Sequence, residues 1–239
     1  VYDTQTKQTV KVTDYKDYDI KFPSLGKDAI VYENGGYIYR FDLKTQETRK
    51  ISINIQNDML GGRSELKDVA GSVSGLSMSP NAERLVITAR GDLFNVPAEE
   101  GITRNITNTS SVHDRDGDWS PDGKYIAYIS DASGEFEIYI MNSDDPQSAK
   151  ALTKNSDSYI FGFEWSPDSK KLLYHDKKFR LWLMDIDSKS QKLVDESGQG
   201  PIGDYSWSHD SKWITYVNPA LGMSQISLYS LETGKSTFI

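Results

Sequence analysis

The densest group of chemistry-bearing residues is His113-Asp114-Arg115-Asp116, followed at once by Gly117-Asp118. A histidine beside two carboxylates and a guanidinium could move a proton, pair with a charged ligand or open a cation loop. The cation loop fails on its continuation: after Asp114-Arg115-Asp116-Gly117-Asp118 the pattern requires glycine where Trp119 stands and a late glutamate where Tyr125 stands. The three histidines, His113, His175 and His209, have no ligand-like spacing, so no metal site is expected. His175 and His209 both read as surface residues. A nucleophile elbow needs Gly-x-Ser-x-Gly, and the nearest string, Gly71-Ser72-Val73-Ser74-Gly75, has valine at its centre. Gly198-Gln199-Gly200-Pro201-Ile202-Gly203 matches the spacing of a dinucleotide loop. However, Pro201 and the strand-like Asp204-Tyr205-Ser206-Trp207 deny it the helix whose N-terminus would hold a pyrophosphate. No catalytic residue and no cofactor is expected in the chain.

The elements that hold these residues are legible from a repeat. Ser79-Pro80-Asn81, Ser120-Pro121-Asp122-Gly123-Lys124, Ser166-Pro167-Asp168-Ser169-Lys170 and Ser208-His209-Asp210-Ser211-Lys212 are copies of one phrase, with Pro23-Ser24-Leu25-Gly26-Lys27 a degenerate fifth. Their spacing is close to the roughly 40–50 residues of a β-propeller blade, with the first interval stretched. Proline fixes the first corner of a tight turn, and Asp or Asn before Gly or Ser tolerates the second. Met78, Trp119, Trp165 and Trp207 precede the turns, and alternating segments such as Tyr125-Ile126-Ala127-Tyr128-Ile129 follow them. A second strand, such as Glu137-Ile138-Tyr139-Ile140-Met141, and a last short one, such as Ala151-Leu152-Thr153, complete the unit. The expected fold is all-β: propeller blades of four antiparallel strands, forming an incomplete ring or parts of two propellers. No segment keeps a 3.6-residue apolar period, so helix should be scarce. The repeated tryptophans are expected to pack blade on blade rather than to stack on a ligand.

Three segments follow from where the repeat breaks. Residues 1–57 read as closing blades of a first propeller, 58–72 as a linker or insertion, and 73–239 as about four blades of a second. An open arc leaves an apolar blade face at each end, so self-association through those faces is expected. With 27 Lys plus Arg against 35 Asp plus Glu, the net charge is −8, which argues against a nucleic-acid partner. No apolar run approaches the roughly 20 residues of a membrane span. With no cysteine, neither a disulfide framework nor a thiolate metal site can form. The opening at Val1-Tyr2-Asp3 has no signal-peptide character, so any targeting segment is expected to lie outside this sequence.

A resemblance sharpens this reading. The run Ala89-Arg90-Gly91-Asp92-Leu93-Phe94-Asn95-Val96-Pro97-Ala98-Glu99-Glu100-Gly101, then Thr103-Arg104-Asn105-Ile106-Thr107, resembles the propeller region of tricorn-type proteases. So do Val112-His113-Asp114-Arg115 and the blade from Trp119 through Tyr128 to Ser130-Asp131. The likeness is close over about residues 76–141 and holds at repeat level elsewhere. The blade phrase alone is shared with TolB-like, WD-type and prolyl-oligopeptidase-like propellers. The tricorn resemblance implies a six-bladed and a seven-bladed propeller followed by a PDZ-like module and a serine-protease core. The catalytic groups would then lie in those later domains, and no position here matches them. It also implies peptides or unfolded polypeptide as partners, together with downstream protease domains of the same chain. On that basis His113, Asp114, Arg115 and Asp116, ahead of an inner strand, are the candidate channel-lining or peptide-binding residues. The alternative is a TolB-like protein-interaction module with no attached enzyme; the exported TolB-like proteins weakly favour a periplasmic or exported location. A propeller that is itself a hydrolase or lyase would have to draw on Asp116, Asp118 and Glu164.

Overall fold

The computed structural model describes residues 1–55, 66–154, 156–220 and 222–239. It divides into two compact units, Val1–Leu66 and Lys67–Ile239. Most of the link expected over 58–72 lies outside the described residues. Its described end holds a 3-10 turn, Ala70–Ser72, and the other elements among the described residues are β-strands.

The first unit is one antiparallel sheet of Ile20–Leu25 (β1), Ala29–Asn34 (β2), Tyr37–Asp42 (β3) and Thr48–Lys50 (β4), in chain order. Asn34-Gly35-Gly36-Tyr37 joins β2 to β3. Both glycines hold positive φ, 57° and 76°, as a two-residue hairpin of this twist requires. Tyr2 and Thr9 form an isolated bridge within the N-terminal segment. The degenerate copy of the repeat phrase behaves differently from its reading as a turn. Pro23, Ser24 and Leu25 lie inside β1, and the turn falls at Gly26, whose N–H donates to the Ala29 carbonyl at 2.8 Å.

The second unit holds four such sheets, each a simple meander. The first is Val73–Met78 (β5), Arg84–Ala89 (β6), Asp92–Pro97 (β7) and Arg104–Asn105 (β8). Asp114–Trp119 (β9), Tyr125–Ser130 (β10), Glu137–Asn142 (β11) and Asp145–Ala151 (β12) form the second. The third comprises Ile160–Trp165 (β13), Lys171–Asp176 (β14), Arg180–Asp185 (β15) and Gln191–Glu196 (β16). Gly203–Trp207 (β17), Trp213–Ala220 (β18), Met223–Ser230 (β19) and Lys235–Phe238 (β20) complete the fourth. The last strand of the second blade ends where it was expected to begin. Beyond it, Thr153 still accepts the Ile138 N–H on its hydroxyl at 2.8 Å.

Each repeat turn is closed by its serine, a role that the proline and Asp-Gly reading did not include. Ser120 is buried, donates its hydroxyl to Asp122 at 2.8 Å and accepts the Tyr125 N–H at 2.9 Å. Ser166 repeats this with Asp168 and Lys171, and Ser208 with Asp210 and Trp213. The turns also join neighbouring blades: Ser169 accepts the Asp122 N–H at 2.9 Å, and Ser211 accepts that of Asp168 at 3.1 Å. Three apolar clusters fill the spaces between the four blades. Val86, Leu93, Trp119 and Ile126 belong to the first; Ile138, Ile140, Trp165 and Leu172 to the second; Leu173, Leu183, Ile214 and Tyr229 to the third, with Trp207 half-buried against it. The tryptophans are therefore packing residues.

Candidate functional site

The first strands of the four blades in the second unit, β5, β9, β13 and β17, lie side by side and are joined by side chains rather than by a ladder. Ser77 on β5 donates its hydroxyl to Asp118 on β9 and accepts the Trp119 N–H at 3.2 Å. Arg115 on β9 donates to the carbonyls of Ile160 and, at 3.1 Å, Phe161 on β13. Trp165 Nε1 reaches back to the Asp118 carbonyl at 3.4 Å. Glu164 on β13 accepts the backbone N–H of Trp207 on β17.

Every one of these strands is bulged near its start. Pairing with the second strand slips between Val73 and Gly75, Arg115 and Asp118, Ile160 and Gly162, and Gly203 and Ser206. A bulge leaves a residue outside the ladder and re-aims its side chain. Here the slips fall at Ser74, Asp116, Phe161 and Asp204, and all four are exposed. Asp116 and Asp204 hold positive φ, 54° and 46°, which aspartate tolerates better than most residues. Gly117 is required beside Asp116, because a Cβ there would stand 2.7 Å from Val86 Cγ1 and 2.9 Å from Leu93 Cδ2.

The four residues expected at the site part company. Asp114 is only 2% exposed and faces inward, accepting the Thr109 hydroxyl at 2.8 Å. Arg115 pairs with Asp116 and lies against two rings, 4.9 Å from the centre of Phe136 and 5.0 Å from that of Tyr159. His113 is exposed; its N–H donates to Asp131 at 2.7 Å and its ring meets Phe136 edge-on at 6.2 Å. From Phe136 the rings continue: Phe136 to Tyr159 at 5.1 Å, Tyr159 to Phe161 at 5.2 Å, Phe161 stacked on His175 at 5.5 Å. His175 closes the row on Tyr205, with Nδ1 2.9 Å from the phenol oxygen. Far from being a surface residue, His175 is half-buried between Phe161 and Tyr205. Burial lowers its pKa, with Asp176 acting against the shift.

Burial also raises the carboxyl of Asp118, opposed by the hydrogen bonds from Ser77 and Trp119. It raises that of Glu164 as well, where the Trp207 N–H opposes the shift and the nearby Asp118 charge adds to it. The phenol of Tyr205 is pushed up by burial and then by Glu164. No group of three or more His, Cys, Asp or Glu among the described residues is arranged to hold a metal ion.

Residues 73–239, well over half of the chain, match the model of the tricorn protease second β-propeller domain. The chain belongs to that family. A tricorn protease homolog of Saccharolobus solfataricus is 25% identical over 217 residues, covering 91% of this chain and 20% of the homolog. The chain thus spans about a fifth of that relative's length. In fold, it is similar to the crystal structure of the tricorn protease with a TM-score of 0.63 at 18% identity, over 99% of this chain and 23% of that one. A TolB from Agrobacterium tumefaciens matches with a TM-score of 0.55 at 16% identity, over 99% of this chain and 86% of its own. The tricorn propeller fold therefore supplies the frame on which the aromatic row is set.

The sequence reading did not find Phe136, Tyr159, Phe161, His175 and Tyr205 as a group. One signal was present: Tyr159-Ile160-Phe161-Gly162-Phe163 is apolar on both parities, and a strand with one solvated face would not be. A break in alternation of that kind marks a bulge.

Proposed function

We propose that this chain is a non-catalytic propeller portion of a tricorn-like serine peptidase, guiding or filtering polypeptide toward protease domains carried elsewhere in the same protein. Membership of the tricorn second-propeller family carries the reading. The inner strands support it, because they leave aromatic rings in the open where an extended chain could lie. Tyr159 and Phe161 are 40% and 44% exposed at the first strand of a blade, although rings of this size are normally buried.

The ends of the second unit fit a part taken from a longer assembly. Met78 occupies the place of the packing tryptophans, yet it is 59% exposed, since no blade of this unit precedes β5. Trp213, Ile226 and Phe238 are exposed on the last sheet. Further blades of the parent protein would cover both faces, and in the chain alone a second copy would do so.

The reading is tested by assaying fluorogenic peptides and a casein-like unfolded substrate with this chain and with the full-length parent. Cleavage by the parent alone is the expected result. Cleavage by the chain itself would overturn the non-catalytic assignment. A parent without peptidase activity would leave a TolB-like interaction module in its place.

A further inference from the structure

On the side of the repeat turns, one seam of the second unit departs from the others. Between its second and third blades, and between the third and fourth, the hydroxyls of Ser169 and Ser211 bridge the turns. Between the first and second blades the corresponding residue is Gly123, which has no hydroxyl. A cleft of about 330 Å³ opens there, bordered by Pro80, Arg84, Trp119, Gly123 and Asp144. A hollow of about 180 Å³ shares Arg84, Trp119 and Asp144 with that cleft and adds Arg104, Ile106 and Pro146.

The charge in this seam is unusual. Four described arginines are half-buried: Arg40, Arg84, Arg115 and Arg180. Arg40 pairs with Asp42, Arg115 with Asp116, and Arg180 with Asp157 and Asp176, whereas Arg84 forms no ion pair among the described residues. Its Nε donates to the side-chain oxygen of Asn95, and Nη2 donates to the carbonyls of Asn95 and Ile102 at 3.4 Å each. These neutral acceptors hold the guanidinium in place without cancelling its charge. Arg104, opposite Asn95 in the ladder between β7 and β8, is exposed and also has no ion pair among the described residues. The nearby carboxylates do not fill the role. Asp122 pairs with Lys124 at 3.1 Å, Glu83 accepts the Asn81 amide at 2.8 Å, and Asp144 pairs with neither arginine. A guanidinium drawn partly out of water without a counter-ion is unfavourable, and a carboxylate fits its fork of donors.

We infer that this seam binds the C-terminal residue of a peptide. The α-carboxylate lies against Arg84 and Arg104, and an apolar side chain rests on Ile106, Trp119 and Pro146. The site goes beyond the guide reading, since it lies at the opposite end of the first strands from the aromatic row. The hollow is small beside ordinary ligand pockets of roughly 300–1,000 Å³, as suits one terminal residue. An aspartate or glutamate side chain ends at its carboxylate and has nothing to place on the apolar wall. A C-terminal residue presents carboxylate and side chain from one Cα. Asp144, on the second blade's side, can accept an amide N–H of the same peptide, and its charge disfavours ligands with several negative groups.

The experiment is fluorescence anisotropy of the chain with the N-terminally labelled peptide Gly-Ser-Gly-Ser-Leu in three forms. These are the free acid, the C-terminal amide, and an amide with aspartate in place of the last serine. The free acid is expected to bind about tenfold more tightly than its amide, on the scale of charge-assisted hydrogen bonds to a guanidinium. Its affinity should fall with added salt. Arg104→Gln should remove most of the preference and keep the wild-type thermal midpoint, because Arg104 is exposed. Arg84→Gln should remove it as well, and Arg84→Lys, which keeps the charge but not the fork, should retain only part. Equal binding of acid and amide would overturn the inference. A preference undiminished in both glutamine variants would overturn the location. An aspartate-bearing amide that matched the free acid would overturn the assignment to a chain end. Binding of none of the three peptides would overturn the site altogether, while the guide reading would still stand or fall on the cleavage assay.

Discussion

The two ends of each first strand in the second unit are built differently. At the turn end, the same phrase recurs from blade to blade, its serine is satisfied twice over, and neighbouring turns bond to one another through Ser169 and Ser211. At the other end the ladder slips, the residue at the slip changes from Ser74 to Asp116 to Phe161 to Asp204, and side chains are released toward solvent. What repeats is what every blade needs to fold and to hold its neighbour. What does not repeat is free to differ, and the exposed ring of Phe161 and the exposed carboxylates of Asp116 and Asp204 sit there.

That contrast does not mean that the bulged end is loosely made, and filling Gly117 tests the point most severely. A Cβ at this position would press on Val86 and Leu93 in the core between the first two blades. Gly117→Val is expected to cost roughly 3 kcal/mol, the upper part of the range for overpacked cores, read as a lower midpoint in urea unfolding. A cost under about 0.5 kcal/mol would show that the bulge can shift freely.

A smaller pair of substitutions compares the ends directly. Ser120→Ala leaves the Tyr125 N–H without its hydroxyl acceptor and takes from Asp122 one of its donors, the other being Lys124, so about 2 kcal/mol should be lost. Asp116→Asn keeps a residue that tolerates positive φ at an exposed position, and the change should stay within about 0.5 kcal/mol. If both variants unfolded at the same urea concentration, the division between a structural end and a recognition end would not stand.

The same division explains what could be read from the sequence. The blades were legible because Ser-Pro-Asp-Gly-Lys and the tryptophan before it encode a local turn and a packing contact, both of which depend on near neighbours in the chain. The row from His113 to Tyr205 was not, because its members come from three blades and meet only after the blades stack. His113 and Arg115 were singled out for their chemistry, whereas Phe161 and Tyr205 read as ordinary strand aromatics. Asp114, Asp116 and Asp118 share one parity and would share one face in a regular strand. The bulge separates them, so that Asp114 is buried, Asp116 exposed and Asp118 half-buried beside Ser77. The degenerate phrase at Pro23 misled for a related reason, since β1 also slips, between Lys21 and Ser24, and carries the proline inside the strand.

The smallest expected effect concerns proton binding at the half-buried end of the row. Burial holds the pKa of His175 below its ordinary value of 6.5, with Asp176 pulling the other way and Tyr205 and Phe161 closing around the ring. A group depressed in this way contributes stability that is complete above its unfolded value and is lost as the pH falls through the folded one. Asp118 and Glu164 are raised, so their ionisation costs stability as the pH climbs through their folded values, and acidification relieves that cost. The two tendencies oppose each other in the wild-type chain. His175→Gln separates them, because the glutamine variant keeps both carboxyl groups and loses only the imidazole. Between pH 7.5 and 5 the wild type should therefore fall relative to His175→Gln, by a melting-temperature difference on the order of 1 °C. A wild type that gained on the variant over that interval would mean that the imidazolium is stabilised at this site, by Asp176 above all. The aromatic row would then hold a cation of its own between Phe161 and Tyr205.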